Sequence, residues 1–212
     1  GANGTYSFWT WHADTGLTTI LPTSLSSPGN DNTVVVPDGR VFFGSQSTSR
    51  FWTWHKDTGL TTILPSNIDT VGYKSTVIAP DGRVFFGSDS TSNFWTWHQD
   101  TGLSTITPGT VAKPGNFSTA VTARGRVYFG QESSPGFYWT WHKDTGLTTI
   151  LNPGVNTPAF TVVSGERAFF SQFADPGEVW SWSPGSSTLS DMERSTASGS
   201  PTKQTLSFEQ IN

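Results

Sequence analysis

From Thr33 to Leu64 the chain alternates short apolar bursts with turn residues. Thr33–Val36 (TVVV) is apolar and Pro37-Asp38-Gly39 is a turn signal. Arg40–Ser45 (RVFFGS) follows, then the polar stretch Gln46–Ser49, then the aromatic run Phe51–His55 (FWTWH). Asp57-Thr58-Gly59 marks a tight turn before Leu60–Leu64 (LTTIL). This pattern predicts four short strands in succession. Proline, glycine and β-branched residues recur too often for a helix. Alternation within FWTWH puts Trp52 and Trp54 on one face, with Phe51, Thr53 and His55 on the other.

The same words return along the chain. Near copies of the aromatic strand and its turn stand at Phe8–Pro22, Phe51–Pro65, Phe94–Pro108 and Tyr138–Leu151, with a worn copy at Val179–Ser190. All ten tryptophans fall in five W-x-W pairs, whose first members are 43, 43, 44 and 41 residues apart. The residues after Trp180 and those up to Trp9 together make 41, about one further period. A ring explains that closure and an open solenoid does not. A period near 43 with four strands per unit predicts an all-β, five-bladed β-propeller over residues 1–212 as a single domain. The last blade is shared by residues 1–22 and about 192–212, and Thr202–Asn212 (TKQTLSFEQIN) supplies its inner strands. Pairing the two terminal segments removes the open edges.

Composition narrows the function classes. A formal charge of −4 with 13% charged residues lacks the basic footprint of a nucleic-acid binder. Aromatics at 14% argue against disorder. No apolar run is long enough for a membrane-spanning helix, so no membrane insertion is expected. Cysteine is absent, which excludes disulfides and zinc–thiolate sites. These features fit an extracellular or surface-exposed protein, secreted or on a virion.

The four histidines, His12, His55, His98 and His142, each precede an aspartate by two residues: Asp14, Asp57, Asp100 and Asp144. The stretch Asp57-Thr58-Gly59-Leu60-Thr61 resembles the Asp-box of sialidases and related propellers. It departs from that box by carrying His55 in place of Ser or Thr, and Thr62 in place of an aromatic. The resemblance implies a structural turn in which the aspartate carboxylate ties backbone N–H groups. One histidine per blade is too dispersed to share a metal ion, so neither metal nor cofactor is expected. One arginine per blade also recurs, at Arg40, Arg83, Arg126 and Arg167. It reads as a strand-end charge that meets solvent or neighbouring turns. The tryptophan pairs read first as packing between blades, and second as sugar-stacking platforms.

The turns PDGR and DTG share one rim and are the uniform ones. The opposite rim varies, and function usually sits on variable loops held by a rigid scaffold. Candidate ligand-binding residues there are Asn30, Tyr73, Asn116, Phe117 and Phe160, joined by Gln46, Asp89 and Gln131 from shorter loops. Amides, hydroxyls and aromatics suit neutral sugars. In blade number, repeat length and small all-β size the chain resembles the five-bladed lectins of the tachylectin type. That resemblance implies a multivalent carbohydrate-binding protein with similar shallow sites in several blades and glycans or glycoconjugates as partners. An alternative is a structural or adhesion module of a virion, fibre or cell surface. A glycosidase-like enzyme ranks last, because no carboxylate pair stands out on inner strands. The sequence therefore predicts no catalytic residues and no enzyme.

Overall fold

The computed structural model describes residues 8–20, 28–45, 50–63, 71, 74–89, 91–106, 113–131, 137–150, 158–172, 178–185 and 193–196. Every regular element among them is a strand. A two-stranded sheet comes first, β1 (Trp9–His12) with β2 (Gly16–Thr19). The first four-stranded sheet holds β3 (Pro28–Val35), β4 (Val41–Ser45), β5 (Phe51–His55) and β6 (Gly59–Thr62). The second holds β7 (Val77–Ile78), β8 (Val84–Gly87), β9 (Phe94–His98) and β10 (Gly102–Thr105). The third holds β11 (Pro114–Val121), β12 (Val127–Gln131), β13 (Tyr138–His142) and β14 (Gly146–Ile150). The fourth holds β15 (Pro158–Ser164), β16 (Arg167–Gln172), β17 (Glu178–Trp182) and β18 (Glu193–Thr196). Each is an antiparallel meander in chain order. The repeat read from the sequence is thus the folding unit.

The sequence predicts five four-stranded blades; the described residues form four, with two strands of a further sheet. Thr202–Asn212, expected to complete that sheet, lies outside the described residues. Glu193–Thr196 falls within the segment assigned to the last blade, yet it pairs with β17 as the outermost strand of the fourth sheet. Three of the four inner strands also start earlier than their apolar text, β7 being the exception. Thr33 pairs with Phe43 in ordinary register, but Pro28 pairs with Ser45 across a shift. The same irregularity separates Pro114 from Thr119 and Pro158 from Phe160. Bulges of this kind bend the strand and re-aim its side chains.

Aromatic rings carry the packing between sheets. The first ring of the aromatic strand lies on the second ring of the next sheet's VFF strand. Phe8 stacks on Phe43 at 4.0 Å between centroids, Phe51 on Phe86 at 4.1 Å and Phe94 on Phe129 at 3.9 Å. Tyr138 meets Phe170 at 4.2 Å in the same way. Within each sheet the second ring also sits beside the first tryptophan opposite it, as in Phe43–Trp52 at 5.5 Å and Phe86–Trp95 at 5.4 Å. The second tryptophan reaches back to the preceding sheet: Trp97 to Phe42 at 4.9 Å, Trp141 to Phe85 at 5.1 Å and Trp182 to Tyr128 at 5.7 Å. Phe42, Phe43, Phe51, Phe85, Phe86, Phe94 and Phe129 are wholly buried, with Trp52 and Trp95 nearly so. Such pairs contribute about 0.5–1.5 kcal/mol beyond the area they bury. From the first four-stranded sheet onward the tryptophans act as packing within and between sheets, whereas Trp9 and Trp11 are exposed.

The ends of the array differ. The backward face of β1–β2 leaves Trp11 69% and Leu17 68% exposed. On the fourth sheet Phe160, Val162 and Val179 are exposed on the forward face, and Val35 of the first sheet is exposed toward the β1–β2 side.

Candidate functional site

The uniform rim is held by histidine. In the first sheet His55 Nδ1 accepts the backbone N–H of Asp57 at 3.3 Å, and its Nε2 lies 3.2 Å from the carbonyl of Asp38. A carbonyl only accepts, so Nε2 donates, and the neutral ring with its proton on Nε2 satisfies both bonds. His98 repeats this with Asp100 N–H and the Asp81 carbonyl, and His142 with Asp144 N–H and the Arg124 carbonyl. Each imidazole ties the third-to-fourth turn of a sheet to its first-to-second turn. This corrects the role implied by the Asp-box likeness. The Asp57 carboxylate is 67% exposed and sits 3.7 Å from His55 Nδ1 and 3.6 Å from Lys56 Nζ. The imidazole, not the carboxylate, receives the turn's N–H.

Two of the four arginines also cross between sheets. Arg40 Nε donates to Asp38 Oδ2 at 3.4 Å, and its guanidinium carbon lies 5.3 Å from the centroid of a Trp97 ring. Arg83 donates to Asp81 at 3.0 Å and lies 5.7 Å from a Trp141 ring. Arg126 turns to Thr140 Oγ1 at 3.4 Å and Arg167 to Ser183 Oγ at 3.1 Å. Exposed cation–π contacts contribute about 0.5–1 kcal/mol each.

Between the turns of successive sheets lies a cleft, and it recurs. The first has a volume of about 250 Å³ and is lined by Asp38 and Arg40 of one sheet and by Asp81, Trp97, His98 and Gln99 of the next. The second, about 260 Å³, is lined by Pro80 and Asp81 of the second sheet and by Arg124, Gly125 and Lys143 of the third. Asp81 borders both. Sequence reading missed these clefts because each is made by two copies of the repeat, on the rim judged purely structural.

On the opposite rim, some of the candidate residues that are described are buried against each other. Asp89 and Asn116 do come together: Asn116 Nδ2 donates to Asp89 Oδ1 at 3.0 Å, with Lys113 Nζ at 3.3 Å from the same oxygen. Asn116 is only 1% exposed, however, and Gln131 is buried too. Gln131 stands opposite Pro114 in the strand register. These groups staple the loop after β8 to the bulged start of β11. Phe117 is half-buried and left-handed, at φ 56°. Phe160 is exposed on β15 of another sheet. Asn30 belongs to strand β3 rather than to a loop. Gln46 and Tyr73 lie outside the described residues. Among the described residues, no group of three His, Cys, Asp or Glu side chains is placed to hold a metal ion.

Two buried phenols complete the charge picture. Tyr128 donates to the Glu166 carbonyl at 2.8 Å and Tyr138 to the Ser171 carbonyl at 2.9 Å, both reaching from the third sheet to the fourth. Burial pushes both phenols well above the ordinary tyrosine range. For Tyr128 the Arg126 charge lowers its value in part and Glu166 raises it.

No family model matches the sequence, and no curated protein matches it. Solved structures do resemble the fold. Virginiamycin B lyase from Staphylococcus aureus superimposes with a TM-score of 0.62 at 13% identity, over 79% of this chain and 55% of that one. A chain of a nidogen–laminin complex gives 0.56 at 14% identity, over 86% of this chain and 72% of that one. Puromycin hydrolase gives 0.55 at 15% identity, over 87% of this chain and 30% of that one. The chain thus spans little more than half the length of the virginiamycin B lyases it matches. These neighbours support a β-propeller architecture at large and do not extend to the tachylectin type. They also overturn one expectation. The sequence was read as excluding an enzyme, yet a lyase and a hydrolase stand among the neighbours, beside a protein-binding module.

Proposed function

We propose that the protein holds small hydroxylated ligands, glycans foremost, in the clefts repeated between consecutive sheets on the uniform rim. The observation that carries this reading is the recurrence of one cleft in two places with equivalent residues: Pro37 and Pro80, Asp38 and Asp81, Gly82 and Gly125, Gln99 and Lys143. Asp38 and Asp81 each offer carboxylate lone pairs beyond those taken by arginine, and His98 and Gln99 border the first cleft. Ring stacking contributes little, because Trp97 is already covered by Arg40 and Phe42. Recognition therefore rests on hydrogen bonds, and a single site is weak, with a dissociation constant of about 0.1–1 mM. Linked weak sites still hold a glycan-dense surface by avidity.

A glycan array followed by calorimetry tests this. More than one site per chain is expected. Asp81→Asn weakens binding of a neutral sugar at the first cleft while keeping an acceptor for the Arg83 backbone N–H, which Asp81 Oδ1 accepts at 3.2 Å. Asp89→Asn, on the opposite rim, leaves binding unchanged. Loss with Asp89→Asn and none with Asp81→Asn moves the site to the variable rim. A sugar that is consumed in the cell, followed by NMR, identifies turnover in place of reversible binding.

A further inference from the structure

The two clefts share a plan but differ in charge. In the first, Asp38 is paired with Arg40 and Asp81 with Arg83, and the remaining polar lining is His98 and Gln99. In the second, Arg124 occupies the place that Asp81 takes in the first, and Lys143 occupies the place of Gln99. Arg124 and Lys143 are exposed, and neither side chain makes an ion pair or hydrogen bond among the described residues. The Arg124 carbonyl is fixed by His142, so the base of its side chain is held at the cleft wall. Asp81, the one carboxylate lining this cleft among the described residues, already has Arg83 at 3.0 Å. Two cations with no carboxylate of their own thus converge on a cleft of about 260 Å³.

We infer that the cleft between the second and third sheets selects an anionic ligand, a carboxylate- or sulfate-bearing sugar, while the cleft between the first and second takes a neutral one. This rests on the clefts being ligand sites. Arginine offers a planar fork that matches a carboxylate or sulfate, and lysine adds a point charge. The same protein would then read two chemical classes of sugar with one repeated turn. The change is confined to side chains that do not support the fold, and the first cleft shows that Asp and Gln fit the same backbone.

Amide NMR titrations with glucose, glucuronate and sodium sulfate decide it, with Gly82 reporting the first cleft and Gly125 the second. Glucuronate should move Gly125 along a saturating curve, more tightly than glucose, and lose strength as salt is raised. The double variant Arg124→Asp/Lys143→Gln should weaken glucuronate at Gly125 by about tenfold or more, leaving Gly82 unchanged. Equal affinity of glucose and glucuronate at Gly125 overturns the charge selectivity but leaves the clefts as sugar sites. Sulfate binding at Gly125 without glucuronate binding supports an anion site and sinks the sugar reading there. Silence of both glycines toward all three probes overturns both this inference and the proposed function.

Discussion

Replacing His55 by alanine separates the histidine from the aspartate as holder of the uniform turn. The substitution removes two hydrogen bonds, from Asp57 N–H at 3.3 Å and to the Asp38 carbonyl at 3.2 Å. A typical protein hydrogen bond contributes about 0.5–1.5 kcal/mol net. The His55 side chain is 14% exposed, so water replaces the lost partners only in part. A loss of about 1.5 kcal/mol is expected for the pair, in the lower half of the range of about 1–3 kcal/mol for two such bonds. Asp57→Ala removes only an exposed carboxylate near His55 and Lys56, and exposed ion pairs contribute about 0–1 kcal/mol. In urea, with a slope of about 2 kcal/mol/M, His55→Ala should lower the unfolding midpoint by about 0.7 M and Asp57→Ala by much less. Circular dichroism during equilibrium denaturation provides the readout. An Asp57→Ala shift equal to or larger than that of His55→Ala refutes the reasoning and restores the Asp-box role to the carboxylate.

Two further outcomes follow from the packing. Gly87→Ala should destabilise strongly, because its Cβ would collide with the Pro114 carbonyl and crowd Phe94 at 3.1 Å. The equivalent Gly44→Ala, whose neighbours are the side chains of Phe51 and Val71 at 3.0–3.2 Å, should cost less, and thermal melts rank the pair. Burial raises the phenols of Tyr128 and Tyr138 above their unfolded value near 10, so the stability they bring is complete below about pH 10 and declines above it. Tyr128→Phe/Tyr138→Phe should flatten that alkaline decline in urea midpoints measured from pH 8 to 11, and an unchanged slope would assign it elsewhere.

Much of the fold was legible in the sequence because the repeat acts as its own control. FWTWH and VFF, or their variants, keep their spacing to within one residue in the four four-stranded sheets, and both are strands where expected. Three of the four inner strands were read short. Pro28 and Pro114 look like loop residues, and the bulges that admit them leave no apolar period to follow. Glu193–Thr196 was missed as a strand of the fourth sheet because ERST has no apolar alternation. The histidine role was hidden by analogy: an imidazole accepting a turn N–H leaves the Asp-Thr-Gly text intact. The clefts were hidden for a different reason. Uniform residues were taken as structural, whereas a cavity between two copies is lined by residues about one repeat apart, such as Asp38 and Asp81. Arg124 departs from the PDGR text, where its place is held by Asp38 and Asp81, but the change gains meaning only beside Lys143, which lines the same space.

The contacts between sheets have a direction. The first and second sheets offer Phe and Arg forward and the third offers two Tyr, each received on the Trp face of the next sheet, so the joint is heterologous: its two halves are different surfaces. Head-to-tail joints of that kind end either in a closed ring or in an open filament. The outward Trp11 and Leu17 at one end and Phe160, Val162 and Val179 at the other are the exposed halves of this joint among the described residues. If a chain's own ends fail to meet, these halves can meet those of another copy. If the repeat closes into a ring, that closure is also the step that keeps the protein from polymerising, and concentration during refolding sets which partner each end finds first.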